Sequence, residues 1–370
     1  MNTNLNEELL HRIALTMIPE LGPVRIRSLV DHFGEASAVF KARKKEIAAV
    51  EGIGEYCARL LKEWNGFDET EMELRFIDKH HIQPLFLTDN HYPQRLLHCF
   101  DPPAMLYYRG NALLNRPHVI SIIGTRNHTE YGRIITEQLV AGLHTPQALI
   151  VSGLAFGIDA LAHRAALQQG LDTIGVLAHG MDTIYPHHHK ALAKEMMQQG
   201  GLLTEFRREH KPDKHNFPRR NRIVAGMADA VVVIETAVKG GSMITAELAH
   251  NYNRDLFAVP GKITDTKSSG CLRLIQQNKA MVFTNAAQLI ETMGWEERKK
   301  TTHASQKLLF VELSPEEKAI VKALAEKESM AIDEIYLHSR LSSSAAAAAI
   351  LNLELQLIVE SLPGKRYRLL

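Results

Sequence analysis

The chain has 370 residues, a formal net charge of +1, and 45% apolar against 23% charged residues. That balance suits two or three globular domains and excludes a collagen-like, low-complexity or cation-coated protein, so a polyanion partner must be met by local clusters. Three widely spaced cysteines, a start without a basic and then apolar leader, and no run of eighteen apolar residues point to reduced thiols, a cytoplasmic location and no membrane partner.

Residues 1–65 read as helical, with amphipathic runs broken at LGPVRIRSLV and VEGIGEYCARLL. Both breaks have the texture of helix-hairpin-helix turns, in which Gly22, Gly52 and Gly54 permit close backbone approach and Arg25, Arg27, Arg59 and Lys62 follow directly. Tandem hairpins of this kind serve either as plain packing modules or as phosphate binders. Residues 66–108 read as a connector pinned by Pro93, Pro102 and Pro103.

From 109 to 295 the period changes. VISIIG, ALIVSG, TIGVLA, GLLTEF, AVVVIE, DLFAVPG and AMVF are short β-rich runs, most of them separated by helical segments. The fold class expected is α/β, a Rossmann-like, doubly wound and mostly parallel sheet, flanked by the helical N-terminal domain and a third, C-terminal domain. Ligands of such sheets lie beyond the carboxyl ends of the strands, so the residues just after each run carry the function.

After the first run comes GTRNHTEYG, with Gly124, Thr125 and Arg126. A dinucleotide fold places glycine where Arg126 stands, so a nicotinamide enzyme is disfavoured and a phosphate clamp favoured. After the second come Ser152 and Gly153, a hydroxyl and backbone donors ahead of the helix opened by Gly157, with Asp159 read as a helix-start residue. HGMDTIYPHHHK holds four histidines, but adjacent residues 187–189 point in different directions and no acidic cluster completes a metal sphere. RREHKPDKHNFPRRNR, residues 207–222, has seven basic and two acidic residues, more surplus charge than the whole chain. Its Lys214, Phe217, Arg219, Arg220, Asn221 and Arg222 combine cations for phosphates with a ring for a base, as single-stranded nucleic acid requires. The arginines are expected to divide between DNA and structure. KGGSMITAELA then supplies Gly240, Gly241 and Ser242 at another helix start, and VPGKITDTKSSG closes the rim. There is no G-x-S-x-G elbow, Walker A loop or H-E-x-x-H, so neither a catalytic site nor a cofactor is expected.

A polar linker at 296–310 leads to a third texture at 311–370, opened by Ser314, Pro315 and Glu317 as a capping box with proline at the first helical position. SSSAAAAAILNLEL, in the place of a recognition helix, has no lysine or arginine, so any DNA contact of this domain is expected through Lys365, Arg366 and Arg368.

GTR, SGLAFGID, HGMDTIYP, FPRRNRIVAG, KGGSMITAELA and FAVPG, in this order over about 124–270, resemble the DNA-processing protein A family (DprA, also called Smf). The resemblance implies a helix-hairpin-helix start, a C-terminal winged-helix domain, and a non-enzymatic protein that binds and protects incoming single-stranded DNA in natural transformation, loads RecA recombinase, and acts as a homodimer through the Rossmann-like domain. In the family the arginine of the first glycine loop contacts phosphate and a K-x-x-F element contacts backbone and base, which match Arg126, Lys214 and Phe217. GTR stands where many relatives have GSR, a change that keeps hydroxyl and guanidinium. KGGSMITAELA also resembles the loop of lysine-decarboxylase-like nucleotide phosphoribohydrolases, a rival reading in which Glu247 is catalytic.

Overall fold

The sheet starts earlier than the change of period suggests. Gln83–Phe86 (β1) and Met105–Gly110 (β2), inside the expected connector, pair antiparallel, and β2 pairs antiparallel with Gly200–Thr204. Pro84 fits β1 because an edge strand can spare a backbone donor. The seven runs read as strands follow as Val119–Ile123 (β3), Leu149–Ser152 (β4), Thr173–Val176 (β5), Gly200–Thr204 (β6), Ala230–Val233 (β7), Asp255–Ala258 (β8) and Met281–Val282 (β9). The order is β1-β2-β6-β5-β4-β3-β7-β8-β9, parallel from β6 to β9. This computed structural model describes residues 3–296 and 313–369, apart from 326, 328, 357 and 363–365. It comprises two compact units, 1–297 and 298–370.

Both faces of the parallel strands are covered, which is why those strands read as continuous apolar runs. Side chains alternate. Val119 and Ile123 join a core shared with the N-terminal helices and with helices Asn216–Gly226 and Gly241–Asn251, while Ile120 and Ile122 pack under helices Glu130–Gly142 and Ile158–Gln168. Each fully buried Ile, Leu or Val contributes about 1.5–3 kcal/mol of burial, so the sheet is a stiff platform for the loops at its carboxyl edge.

The N-terminal hairpins have the expected turns, with Gly52 at φ +78° and Gly54 at φ +67°. Arg25 donates to the carbonyls of Glu20 and Gly52, and Lys62 to that of Phe40, so these two cations tie the hairpins together.

In the second unit, helices Pro315–Leu324, Ile332–Ser339 and Ser343–Leu355 enclose a core with Ile320, Met330, Ile335, Ile350 and Val359. The strands Met330–Ala331 (β10), Val359–Leu362 (β11) and Arg366–Leu369 (β12) form an antiparallel sheet in the order β10-β12-β11, a winged-helix arrangement. The capping box forms as read, Ser314 Oγ accepting from the Glu317 amide and the Glu317 carboxylate from the Ser314 amide. Linker residues 297–310 and Lys365 lie outside the described residues. Arg366 donates to Ser329 and Arg368 pairs with Glu360 at 2.7 Å, so both engage their own domain.

Candidate nucleic-acid interface

The chain runs outward from β3 through β4, β5 and β6 and then crosses back to β7 on the other side of β3. The loops after β3 and β7 therefore diverge and open a crevice at this switch point. Here lies a cleft of about 550 Å³, lined among others by Gly124, Thr125, Arg126, Gly153, Lys214, Phe217, Arg220, Asn221, Gly240, Gly241 and Ser242. Eleven residues proposed from four separate stretches of sequence thus meet in one place.

The loop after β3 is clamped from both sides. The Thr125 amide donates to the Glu235 carbonyl at 2.7 Å, and the Thr125 carbonyl accepts from the Ile158 amide at 3.1 Å. Gly157, at φ +80°, lies so close to Thr125 and Arg126 that a Cβ would overlap their backbone. Thr129 caps helix Glu130–Gly142, and the buried Glu235 carboxylate accepts from its amide and hydroxyl. Arg126 thus stands exposed on a fixed loop, its guanidinium 5.3 Å from the centre of the Phe217 ring. Lys214 is exposed one turn before, and Phe217 is half-buried. Opposite, Gly240 and Gly241 begin helix Gly241–Asn251, in which the Met243 amide donates to the Gly240 carbonyl while the Gly241 and Ser242 amides have no acceptor within the helix. Cations, free donors and a ring share one wall-to-wall space: a phosphate can be held by Arg126 and Lys214 while a base lies against Phe217.

Helical geometry sorts the arginines. At about 100° per residue, helix Asn216–Gly226 turns Phe217, Asn221 and Val224 to the cleft and carries Arg219 and Arg222 to its other side. Arg222 is tied to the Glu205 carboxylate at 2.5 Å and to the Asp101 carbonyl. Arg219 reaches 3.6 Å from Glu205 and stacks on Phe206. Neither lines the cleft, a departure from the sequence expectation that the period of the helix explains.

Arg220 lines the cleft from beneath, 5% exposed. Its guanidinium donates to the Gly153 and Val176 carbonyls, at the ends of β4 and β5, and burial lowers its pKa to about 10. Beside it, burial pushes the Asp159 carboxyl above its ordinary range, opposed by the Arg220 charge. Ser152 offers no hydroxyl to the cleft. It is fully buried as the last residue of β4, and its Oγ donates to the Ile122 carbonyl at 2.6 Å.

The surplus charge of residues 207–222 is largely engaged by the protein itself. Arg207 meets Glu69 at 3.0 Å and Arg208 meets the buried Glu73 at 3.6 Å, both carboxylates belonging to helix Phe67–Lys79. Among the described residues Lys211 and Lys214 have no ion-pair partner. The histidines of the third block are likewise dispersed: His179 Nδ1 lies 2.8 Å from the Gly180 carbonyl and His189 Nδ1 lies 2.9 Å from that of Leu154. Among the described residues no three His, Cys, Asp or Glu side chains are placed to share a metal ion, and no helix is long and apolar enough to cross a membrane.

Residues 83–294 match the family model described as DNA recombination-mediator protein A, and residues 309–365 match the DprA winged helix domain. The chain belongs to the DNA recombination-mediator protein A family. Protein Smf of Synechocystis is 33% identical over 400 residues, covering 98% of this chain and 99% of its own. The family protein of Streptococcus pneumoniae, called DNA processing protein DprA, is 39% identical over 205 residues, or 55% of this chain and 72% of its own. Its X-ray structure superposes with a TM-score of 0.64 at 30% identity over 76% of this chain and 97% of that one. The Helicobacter pylori family structure, described as showing a single-stranded DNA binding mode, gives a TM-score of 0.53 at 33% identity over 58% of this chain and 97% of that one. These solved relatives share the family's α/β fold with the sheet described above.

Sequence reading missed Phe156 and Tyr185, which line a niche beside the cleft together with Phe217. They follow different strands from Phe217 and lie in no charged run. Only their position just beyond β4 and β5 could have drawn attention to them.

Proposed function

We propose that this family member binds single-stranded DNA in the cleft at the carboxyl edge of its sheet, protects incoming DNA in natural transformation and loads RecA recombinase, working in the cytoplasm as a homodimer through the Rossmann-like domain. The observation that carries the DNA reading is the placement of the Arg126 guanidinium over the Phe217 ring, beside Lys214 and the Gly240–Gly241 helix start. A charge for the backbone and a ring for the base stand one nucleotide apart, a combination that a duplex, with its bases covered, cannot use fully. The single-stranded DNA binding mode described for the Helicobacter pylori relative supports the same ligand. RecA loading, protection and dimerisation rest on the family resemblance.

The reading is non-enzymatic. Asp159 is buried against Arg220, Glu235 is occupied by Thr129, and both oxygens of Glu247 accept from Lys279 at 2.9 and 2.7 Å, away from the cleft lining. The ion pair speaks against Glu247 as the catalytic carboxylate of the phosphoribohydrolase reading. Incubation with nucleoside monophosphates is expected to release no free base.

The direct test compares single-stranded and duplex oligonucleotides at two salt concentrations. Phe217→Ala is expected to weaken single-strand binding by about 1–3 kcal/mol, to leave the salt slope unchanged and to spare duplex binding. Phe217→Leu should be nearly as weak as the alanine variant, and Phe217→Trp should bind. Rescue by leucine together with loss of thermal stability in the alanine variant would make the ring a packing residue and overturn the reading.

A further inference from the structure

We infer that Tyr185 and Phe156 form a second base-stacking wall, receiving the nucleotide next to the one that lies on Phe217. The inference rests on the single-strand reading above and goes beyond it, since it assigns a separate place to a neighbouring base. The niche that holds these rings shares Arg126, Gly153, Ala155, Phe217 and Arg220 with the main cleft, so it continues the same site without a break. Tyr185 and Phe156 are each 43% exposed, so each ring offers free surface within the niche.

Their backs are held. Phe156 meets His189 edge-on at 5.0 Å, and His189 is buried and fixed to the Leu154 carbonyl. The Tyr185 amide donates to Nε2 of the buried His179 at 3.3 Å. The rings are therefore presented by a fixed backbone, and a base meeting them costs little side-chain ordering.

Geometry separates the two places. Tyr185 and Phe217 lie 6.2 Å apart at 51°, a tilted contact that leaves no slot for a base between them. Each ring must offer its own outer face. Arg126 covers part of Phe217 and also lines the niche, so a phosphate on its guanidinium lies beside both aromatic places. Two successive bases splayed about one clamped phosphate is a conformation open to a single strand and closed to a stacked duplex. The occupant is thus a nucleobase of single-stranded DNA, read by its π-face and without sequence preference.

The test uses the full chain, a fluorescent dT20 strand and a 20-nucleotide strand without bases. Tyr185→Ala is expected to weaken dT20 binding roughly 5- to 100-fold, with Tyr185→Leu nearly as weak and Tyr185→Phe near the parent. The base-free strand should bind all four proteins alike, and the salt slope on dT20 should not change. Phe156→Ala should show the same pattern. If Phe217→Ala weakens dT20 binding while Tyr185→Ala and Phe156→Ala stay within twofold of the parent, the second wall is overturned and the single-strand reading stands. A parent protein with no preference for dT20 over the base-free strand sinks both. Rescue by leucine, with a lowered melting temperature for Tyr185→Ala, assigns the ring to packing and overturns the wall.

Discussion

Three arginines within four residues, Arg219, Arg220 and Arg222, do three different jobs. Arg220 is a floor beam: one guanidinium bridges the carbonyls that end β4 and β5, and a Cβ on Gly153 would strike it. Arg220→Met removes those two charge-assisted bonds and the positive charge that offsets the burial of Asp159, a loss of about 3–5 kcal/mol in denaturant unfolding. Arg219→Ala, at an exposed side chain 3.6 Å from its carboxylate, should stay within about 0.5 kcal/mol. Equal losses for the two would contradict the assignment. The sequence shows that these are arginines in a basic run and that some must be structural. It does not show which, because burial depends on the ends of two other strands. The gathering of Arg126, Lys214 and Phe217 was legible, since their own chemistry and the motif order single them out and all three line one cleft. Ser152 was misread for the opposite reason: its hydroxyl has a nearer acceptor on the neighbouring strand, which only the pairing of β3 with β4 creates.

At the scale of elements, periodicity located all seven runs from β3 to β9, whereas β1 and β2 were hidden by prolines and by a turn-rich setting. Helix Ile158–Gln168 carries a titration signature. Its His163 is fully buried with Nδ1 2.6 Å from Thr173 Oγ1, and burial lowers its pKa to about 3. A group lowered in the folded state lends stability above its ordinary value near 6.5, and that stability is lost as the pH falls from there towards 3. The melting temperature should therefore decline across that window, and His163→Asn should flatten the decline; an equal slope in both proteins would remove the histidine from the account. The C-terminal unit gives a second element-scale expectation. Its helix Ser343–Leu355 holds no cation, and Arg366 and Arg368 are engaged within the domain. A chain ending near Glu312 should keep single-strand affinity within tenfold, measured by anisotropy, and a loss of a hundredfold or more would show that this unit grips DNA.

For the 3–296 part of the molecule as a whole, the switch point of the sheet gathers blocks that are far apart in sequence, and that gathering follows from the strand order and not from any single motif. Charge behaves in the same way. A local surplus in residues 207–222 was correctly read as unusual, but its partners come from the N-terminal helix Phe67–Lys79, which composition gave no reason to place nearby. Glu69 and Glu73 are thus rivals of the nucleic acid for Arg207 and Arg208. Replacing both by glutamine frees Arg207, while Arg208 keeps the Glu209 carboxylate at 2.6 Å, so the single-strand binding slope against salt should steepen by about 0.7 if Arg207 reaches a phosphate. An unchanged slope would mean that Arg207 stays with the protein. A helix outside the cleft can in this way set how tightly the cleft grips, because each carboxylate it presents withdraws one cation from the contest. Changes in that helix alone would let related proteins trade hold against release while every residue that touches the strand stays the same.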